Sequence, residues 1–363
     1  MSNKRDNYLE CARLAREVSG VGILTQLREI LSLRSSKSQL GASEYYFYRL
    51  FDRRLTAEAR HEFAGYRRER DIDRLLNEDN WRALANDKLV MYAAIDGLGL
   101  PYPRIKAVCH VQGRRFPRSV PLTSGPEIRD FLSAAEYPIF MKPVHGSYGR
   151  GACSAMAFDA LADSIVLGNG EPWGLDEAVP TFLESRSHGY LFQEMVKPHE
   201  SIRAFCRATA SSVRVVTVWG ACGPEIFRCA WKIPVGRNMS DNFIHGKVGN
   251  LLALVDSDSG SVVRVITGPG FSMKEVDVHP DTGQRLLGFQ LPSWQALREL
   301  CLQAASAFPG LKLQNWDIAI GESGPVILEV NVEGSMDLHQ LAGARGIQNG
   351  ILAELLAVVE SGR

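Results

Sequence analysis

One segment constrains this chain more than any other: Leu313–Glu333, LQNWDIAIGESGPVILEVNVE. Apolar residues at Leu313, Trp316, Ile318 and Ile320 mark a first strand. Gly321 to Pro325 supply turn residues, and Val326, Ile327, Leu328 and Val330 mark a second, buried strand. The spacing predicts a hairpin. Asp317 lies on its first strand; Glu329 and Asn331 lie on the second, two apart, so their side chains share one face. Two carboxylates and an amide oxygen form a ligand set suited to Mg²⁺. Acidic residues on a strand are ordinarily solvent-facing, but here the run is apolar. A Glu and an Asn bracketing Val330 are costly there unless paired or ligated. Magnesium at a sheet surface serves phosphate chemistry, so the rest of the chain is read for a nucleotide site.

The chain has 363 residues, enough for an ample core and two or three lobes. Its 41 acidic and 41 basic residues balance, which argues against non-specific attraction to nucleic acid or anionic membrane. The basic run Tyr66–Arg70 is offset by nearby acids and reads as a solvated helix face. Seven cysteines without a CxxC pair, and a polar start rather than a leader, lead us to expect free thiols and a cytoplasmic protein. No stretch is long and apolar enough to suggest a membrane span.

Residues 1–85 read as helices, 86–188 as a lobe with a glycine-rich loop, and 189–363 as a lobe carrying the hairpin. In the first region Leu24, Leu27, Ile30 and Leu31 fall on one helical face, and Ser43 is positioned to cap a helix with the aromatic cluster Tyr45–Tyr48. Next, Asn86 or Asp87 caps a helix that Gly97, Gly99 and Pro101 stop. Its GLGLPY is no dinucleotide fingerprint, because these glycines end a helix instead of following a strand.

Lys142 ends a strand leading into His145-Gly146-Ser147-Tyr148-Gly149-Arg150-Gly151. Three glycines in seven residues let backbone N–H groups approach an anion, and the lysine adds a point charge for phosphate. An ordinary hairpin turn with one exposed lysine is the competing reading. This is not a Walker loop, since no Gly-Lys-Ser/Thr follows. Gln193, Glu194, Met195 and Val196 end an apolar strand at Lys197-Pro198 and could offer backbone groups to an adenine edge. Arg214 and Lys232 lie inside apolar strands and need anionic partners, either a neighbouring carboxylate or a phosphate. No HExxH or CxxC spacing suggests zinc, and His145, His245 and His339 have surface or structural roles as their plainer reading.

Taken in order, YFYRL, NDK, GLPYP, FMKPVHGSYGRG, QE, SSVRVVTV, SDNF, HPDTGQRLLGFQLPSW, WDIAI and VILEVN resemble the ATP-grasp superfamily, and in detail its sugar-transfer-associated branch, over roughly residues 40–340. The resemblance implies an α+β fold in which two α+β lobes sandwich ATP, here with a helical N-terminal region. It implies Lys88 and Lys142 on phosphate, with Lys142 also near adenine, and Gly146–Gly151, including Ser147, Gly149 and Arg150, as a mobile loop over the β- and γ-phosphates. Gln193, Glu194, Met195 and Val196 would hold adenine, with His199, Glu200 or Ser201 on the ribose. Asp317, Glu329 and Asn331 would ligate Mg²⁺, two ions in all. Arg214 and Lys232 would face the γ-phosphate and the anionic intermediate, and Asp241 and Asn242 would position phosphate or acceptor. One departure stands out: many such ligases begin with a parallel α/β domain that helps hold the acceptor, whereas the first 85 residues here read as helical.

The implied reaction activates a carboxylate with the γ-phosphate for attack by an amine, releasing ADP and phosphate. A kinase acting on a sugar-like hydroxyl, or a nucleotide-binding protein without turnover, would use much the same residues. The expected partners are small-molecule carboxylates and amines, with no nucleic acid and no membrane.

Overall fold

Period-two apolar runs build two sheets, which a computed structural model shows packed through helices. The structure describes residues 4–146, 149–184, 188–207 and 209–361. The first sheet comprises β1 (Ile105–Cys109), β2 (Val120–Leu122), β3 (Ile139–Pro143), β4 (Cys153–Asp159), β5 (Ser164–Leu167), β6 (Pro172–Gly174) and β7 (Tyr190–Glu194), in the order β2-β1-β7-β3-β4-β5-β6. Its β1–β2 pair is parallel and its other pairs are antiparallel. Met141, Ile139, Ala107 and Phe192 pack beneath helices Gly125–Ala134 and Leu175–Phe182. The predicted antiparallel strands flanking the glycine loop are β3 and β4, with Met141 opposite Cys153.

The second sheet comprises β8 (Ser212–Gly220), β9 (Gly223–Ile233), β10 (Leu251–Val255), β11 (Val262–Thr267), β12 (Lys274–Glu275), β13 (Leu313–Gly321) and β14 (Gly324–Asn331), in the order β12-β11-β10-β9-β8-β13-β14, antiparallel throughout. Side chains alternate between its faces. Val213, Val215, Trp231, Trp316 and Ile318 share a core with Leu297, Cys301 and Ala304 of helix Trp294–Ser306. The opposite face carries Ser212, Arg214, Lys232 and Asp317. The hairpin turn is tighter than the sequence suggests: Pro325 already pairs with Ile320 and Gly324 (φ +113°) with Gly321, so Glu322 and Ser323 make the turn.

The N-terminal region is helical, as expected, but two details differ. Gly41, not Ser43, caps helix Ala42–Phe47, and the Glu44 carboxylate accepts from the Gly41 N–H at 2.6 Å. In helix Ile23–Ser35 the buried residues are Gln26, Ile30 and Leu33, while Leu24, Leu27 and Leu31 are 74, 50 and 65 % exposed. Gln26 is buried because its amide is fully used: it donates to the carbonyls of Ala12 (3.1 Å) and Val21 (2.8 Å) and accepts from the Tyr46 hydroxyl (3.0 Å). The aromatic cluster docks on the second lobe, Phe51 stacking on Phe271 at 5.5 Å. The basic run at Tyr66–Arg70 is only partly solvated, since Arg68 is buried and pairs with Glu360 at 2.8 Å. No helix among the described residues is long and apolar enough to cross a membrane. Cys109, Cys153, Cys206, Cys222, Cys229 and Cys301 are free thiols.

Candidate active site

Register creates the centre of the site. Asp317 of β13 lies opposite Arg214 of β8 on one side and Glu329 of β14 on the other. Directly opposed residues share a face, so one row across three strands reads cation, carboxylate, carboxylate. In the next row, Ser212 of β8 lies opposite Lys232 of β9. Arg214 grips Asp317 with two bonds, Nε to Oδ1 at 2.6 Å and the terminal nitrogen to Oδ2 at 2.8 Å. Lys232 Nζ stands 3.2 Å from Asp317 Oδ1 and 3.6 Å from Asp241 Oδ1. Asp241 Oδ2 accepts from both the backbone N–H (2.7 Å) and the hydroxyl (2.6 Å) of Ser212.

These groups are buried, so their charge states depend on one another. Burial alone would raise the Asp317 pKa, but Arg214 and Lys232 outweigh it and hold the carboxyl well below the usual carboxylate range. Arg214 is likewise more firmly protonated than usual, because Asp317 outweighs the cost of burial. Asp241 goes the other way. Burial raises its pKa despite Lys232 and the Ser212 hydrogen bonds.

The first lobe brings its cations to the same place. Lys88, the first residue of helix Lys88–Gly97, is aimed by the Asp87 cap, whose carboxylate accepts from Leu89 N–H at 3.0 Å and Val90 N–H at 3.2 Å. Its ammonium donates to the Gly146 carbonyl (3.1 Å) and lies 3.6 Å from Glu329 Oε2. Lys142 reaches from β3 to the Tyr92 hydroxyl (3.0 Å) and the Leu328 carbonyl (3.3 Å) of β14. Burial pushes the Lys142 ammonium pKa down, against the opposing pull of Glu329 and Asp317.

Between the sheets lies a cleft that opens to solvent, with about 1040 Å³ of empty space in it and its mouth together. Of the expected residues, Lys88, Lys142, Gly146, Gly149, Arg150, Gln193, Glu194, Met195, Val196, Lys232, Asn242, Asp317 and Glu329 line it. Among the described residues, no backbone–backbone hydrogen bond outside the helices and strands involves Met195 or Val196, and both residues line the cleft. Gln193 is turned inward and donates to the Pro103 carbonyl at 3.2 Å. Gly149 must be glycine: its φ is +64°, and a Cβ would overlap the Asn242 amide. Gly151 stands behind, its carbonyl accepting from the Tyr190 hydroxyl.

His145 and His199 have other partners, and neither they nor Asn331 belongs to the cleft lining. His145 donates through Nδ1 to the Asn86 carbonyl at 2.7 Å and stacks on His188. His199 caps helix Glu200–Cys206, its Nδ1 accepting from Ser201 N–H at 3.3 Å. Asn331 is not part of the cleft lining; its amide nitrogen lies 3.5 Å from Glu329 Oε1. Ser147 lies outside the described residues. Two contributors escaped the sequence reading. Tyr92 sits four residues after Lys88, on the same helix face, and Ser212 lies directly across from Lys232. Those spacings were the available signals.

The profile of the family described as sugar-transfer associated ATP-grasp matches residues 67–354. The chain belongs to that family. Its mixed α+β architecture, with two sheets around a cleft and helices before them, is the ATP-grasp fold. Solved structures similar to this ATP-grasp chain include the ATP-grasp ligase PsnB complexed with a minimal precursor (15 % identity, TM-score 0.39, covering 79 % of this chain and 64 % of that one). Another is VanG D-Ala:D-Ser ligase from Enterococcus faecalis (13 %, 0.43, 78 % and 64 %). A third is a biotin carboxylase complex from Campylobacter jejuni (10 %, 0.44, 79 % and 48 %). The chain thus spans less than two thirds of the length of each. No curated protein matches it.

The ligand set fits magnesium by chemistry. Asp317 and Glu329 are opposed carboxylates on one sheet face, and Asn331 is two residues along with an amide oxygen to offer. Arg214 and Lys232 pair with Asp317, and Lys88 lies against Glu329.

Proposed function

We propose that the protein is an ATP-dependent ligase. It would activate a carboxylate as an acyl-phosphate and pass the acyl group to an amine, with release of ADP and phosphate. The observation that carries this reading is the convergence of Arg214, Lys232, Lys88 and Lys142 on the Asp317–Glu329 pair at the cleft between the lobes. Phosphoryl transfer needs cations and carboxylates in that relation and no covalent nucleophile.

In this reading the backbone at Met195–Val196 holds the adenine, and Lys142 and Lys88 hold phosphate oxygens. Asp317, Glu329 and Asn331 are the magnesium ligands, and bound Mg²⁺ would neutralise and orient the β- and γ-phosphates. Arg214 and Lys232 then have a second use. With Asp317 engaged as a ligand, their charges would stabilise the γ-phosphate and the oxyanion formed when the amine attacks. Burial keeps water away from these charges and strengthens each contact. The substrates are small molecules carrying a carboxylate and an amine.

The test is incubation with ATP, Mg²⁺ and a panel of carboxylates and amines, with products read by mass. ADP, phosphate and an amide are expected. AMP with pyrophosphate would overturn the acyl-phosphate route. ADP with a phosphorylated sugar-like acceptor would assign the same site to a kinase.

A further inference from the structure

The segment between β9 and β10 carries Met239, Ser240, Asp241 and Asn242 to the cleft, yet it has little ladder bonding to hold its shape. One buried side chain does that work. Asn250 is 1 % exposed, and its amide is used four times. Its oxygen accepts from Val235 N–H (2.9 Å) and the Asn238 amide nitrogen (2.6 Å), and its nitrogen donates to the carbonyls of Ser240 (3.0 Å) and Asn242 (2.8 Å). Every hydrogen-bonding position of the amide is therefore spoken for by residues 235–242. Asn238 ties the far side of the turn by donating to the Val248 carbonyl at 3.0 Å.

What this brace presents is contact with the other lobe. Asn242 lies where a Cβ on Gly149 would be, and Met239 Cγ would be 3.5 Å from a Cβ on Gly168 in the first sheet's β5–β6 turn. Asp241, between them, is clamped to Ser212 and Lys232 beside Asp317. The same turn thus touches the first lobe on both sides of a residue bonded to the catalytic row.

We propose that Asn250 is a positioning residue: by fixing the 235–242 turn it sets Asn242 against Gly149 and so couples the two lobes at the phosphate end of the cleft. The inference rests on the nucleotide reading for its effect on binding, but not for the coupling itself. Among the described residues, every hydrogen bond of the Asn250 side chain goes to this turn.

Two measurements test it. Hydrogen exchange on the full chain without nucleotide compares wild type with Asn250→Ala. Faster exchange is expected at residues 235–242 and also at 149–152. Loss of protection confined to 235–242 would overturn the coupling. Calorimetric titration with Mg·ATP and, separately, AMP then reads the phosphate end against the adenine end. Asn250→Ala is expected to weaken Mg·ATP about tenfold while AMP stays within about twofold. Adding Asn250→Ala to Asn242→Ala should cost little more than Asn242→Ala alone, because the first acts through the second. Equal weakening of both ligands, or additive losses, would overturn the proposal. If Asn250→Ala does not fold, Asn238→Ala, which removes one bond to the same amide, should give a smaller loss with the same ATP-against-AMP split; an equal effect on both ligands would overturn it too. A wild type that binds neither nucleotide rejects the nucleotide reading, and the exchange result then decides the coupling alone.

Discussion

At Asp317, burial and charge pull in opposite directions, and the charges win because two cations converge on one carboxylate. Removing the carboxylate's charge strands Arg214 in a dry setting and leaves Lys232 with Asp241 alone. Asp317→Asn should therefore cost about 3–5 kcal/mol in a urea titration. Replacing Arg214 and Asp317 together with Met and Leu should recover a substantial part, since no unpaired pair member remains. ADP release should be lost in both variants. His339 gives a pH signature. Its ring is buried with neither nitrogen hydrogen-bonded among the described residues, and burial, then Arg214 and Arg228, push its pKa down to about 3. The unfolded chain takes up that proton near the ordinary histidine value, so this contribution to stability is complete above about pH 6.5 and is lost as pH falls toward about 3. His339→Phe should flatten the acid limb by up to about 1.4 kcal/mol per pH unit in that window, read from urea midpoints. Charged residues such as Asp317, Glu329, Arg214 and Lys232 were legible in the sequence because a charge inside an apolar strand is conspicuous and must be paid for by a partner. Tyr92, Ser212 and Asn250 were not, because uncharged polar residues raise no such flag until their partners are seen. His199 stayed one of three candidates for a related reason: a histidine just past a strand end can face a ligand or cap the next helix, and here it caps helix Glu200–Cys206.

The helix Lys88–Gly97 and the single residue Gly149 have leverage beyond their size. Asp87 both caps the helix and pairs with Arg114 at 2.7 Å, so Asp87→Ala should lower stability by about 1–2 kcal/mol. It should also weaken ATP binding, because Lys88 leaves the cap's first turn; a thermal melt and a nucleotide titration separate the two effects. Gly149→Ala combines a left-handed backbone with a clash against Asn242. Its ATP affinity should fall by about tenfold or more, and Asn242→Ala should restore part of that loss by making room. At this scale the sequence served well for strands flanked by turns, such as β3, β4, β13 and β14. It served less well for helix Ile23–Ser35. Periodicity there identifies which residues share a face, but not which face turns inward. Hydrogen bonds to Gln26 from distant segments settled that.

Across the whole molecule the N-terminal helices are structural partners of the second sheet, not an appendage. Tyr45, Tyr46 and Phe51 pack in one cluster with Ala230, Leu252, Ile266 and Leu341, and Gln340 bonds to the Ala64 backbone. A chain beginning at Arg67, where the family match starts, should expose that apolar face. It should bind a hydrophobic dye and aggregate, and an intact monomer by light scattering would refute this. The same scale brings out a property of the cleft. Among the described residues its lining sets Lys88, Lys142, Arg150 and Lys232 against Glu194, Asp241, Asp317 and Glu329, four of each sign. Such a cavity has little surplus positive charge to offer a bare triphosphate, and its acids would repel one. The visitor it suits is a nucleotide escorted by its own counter-ion, so chelating Mg²⁺ should abolish the titration signal with ATP and not merely weaken it. An electroneutral vestibule thereby sorts its guests by the company they keep.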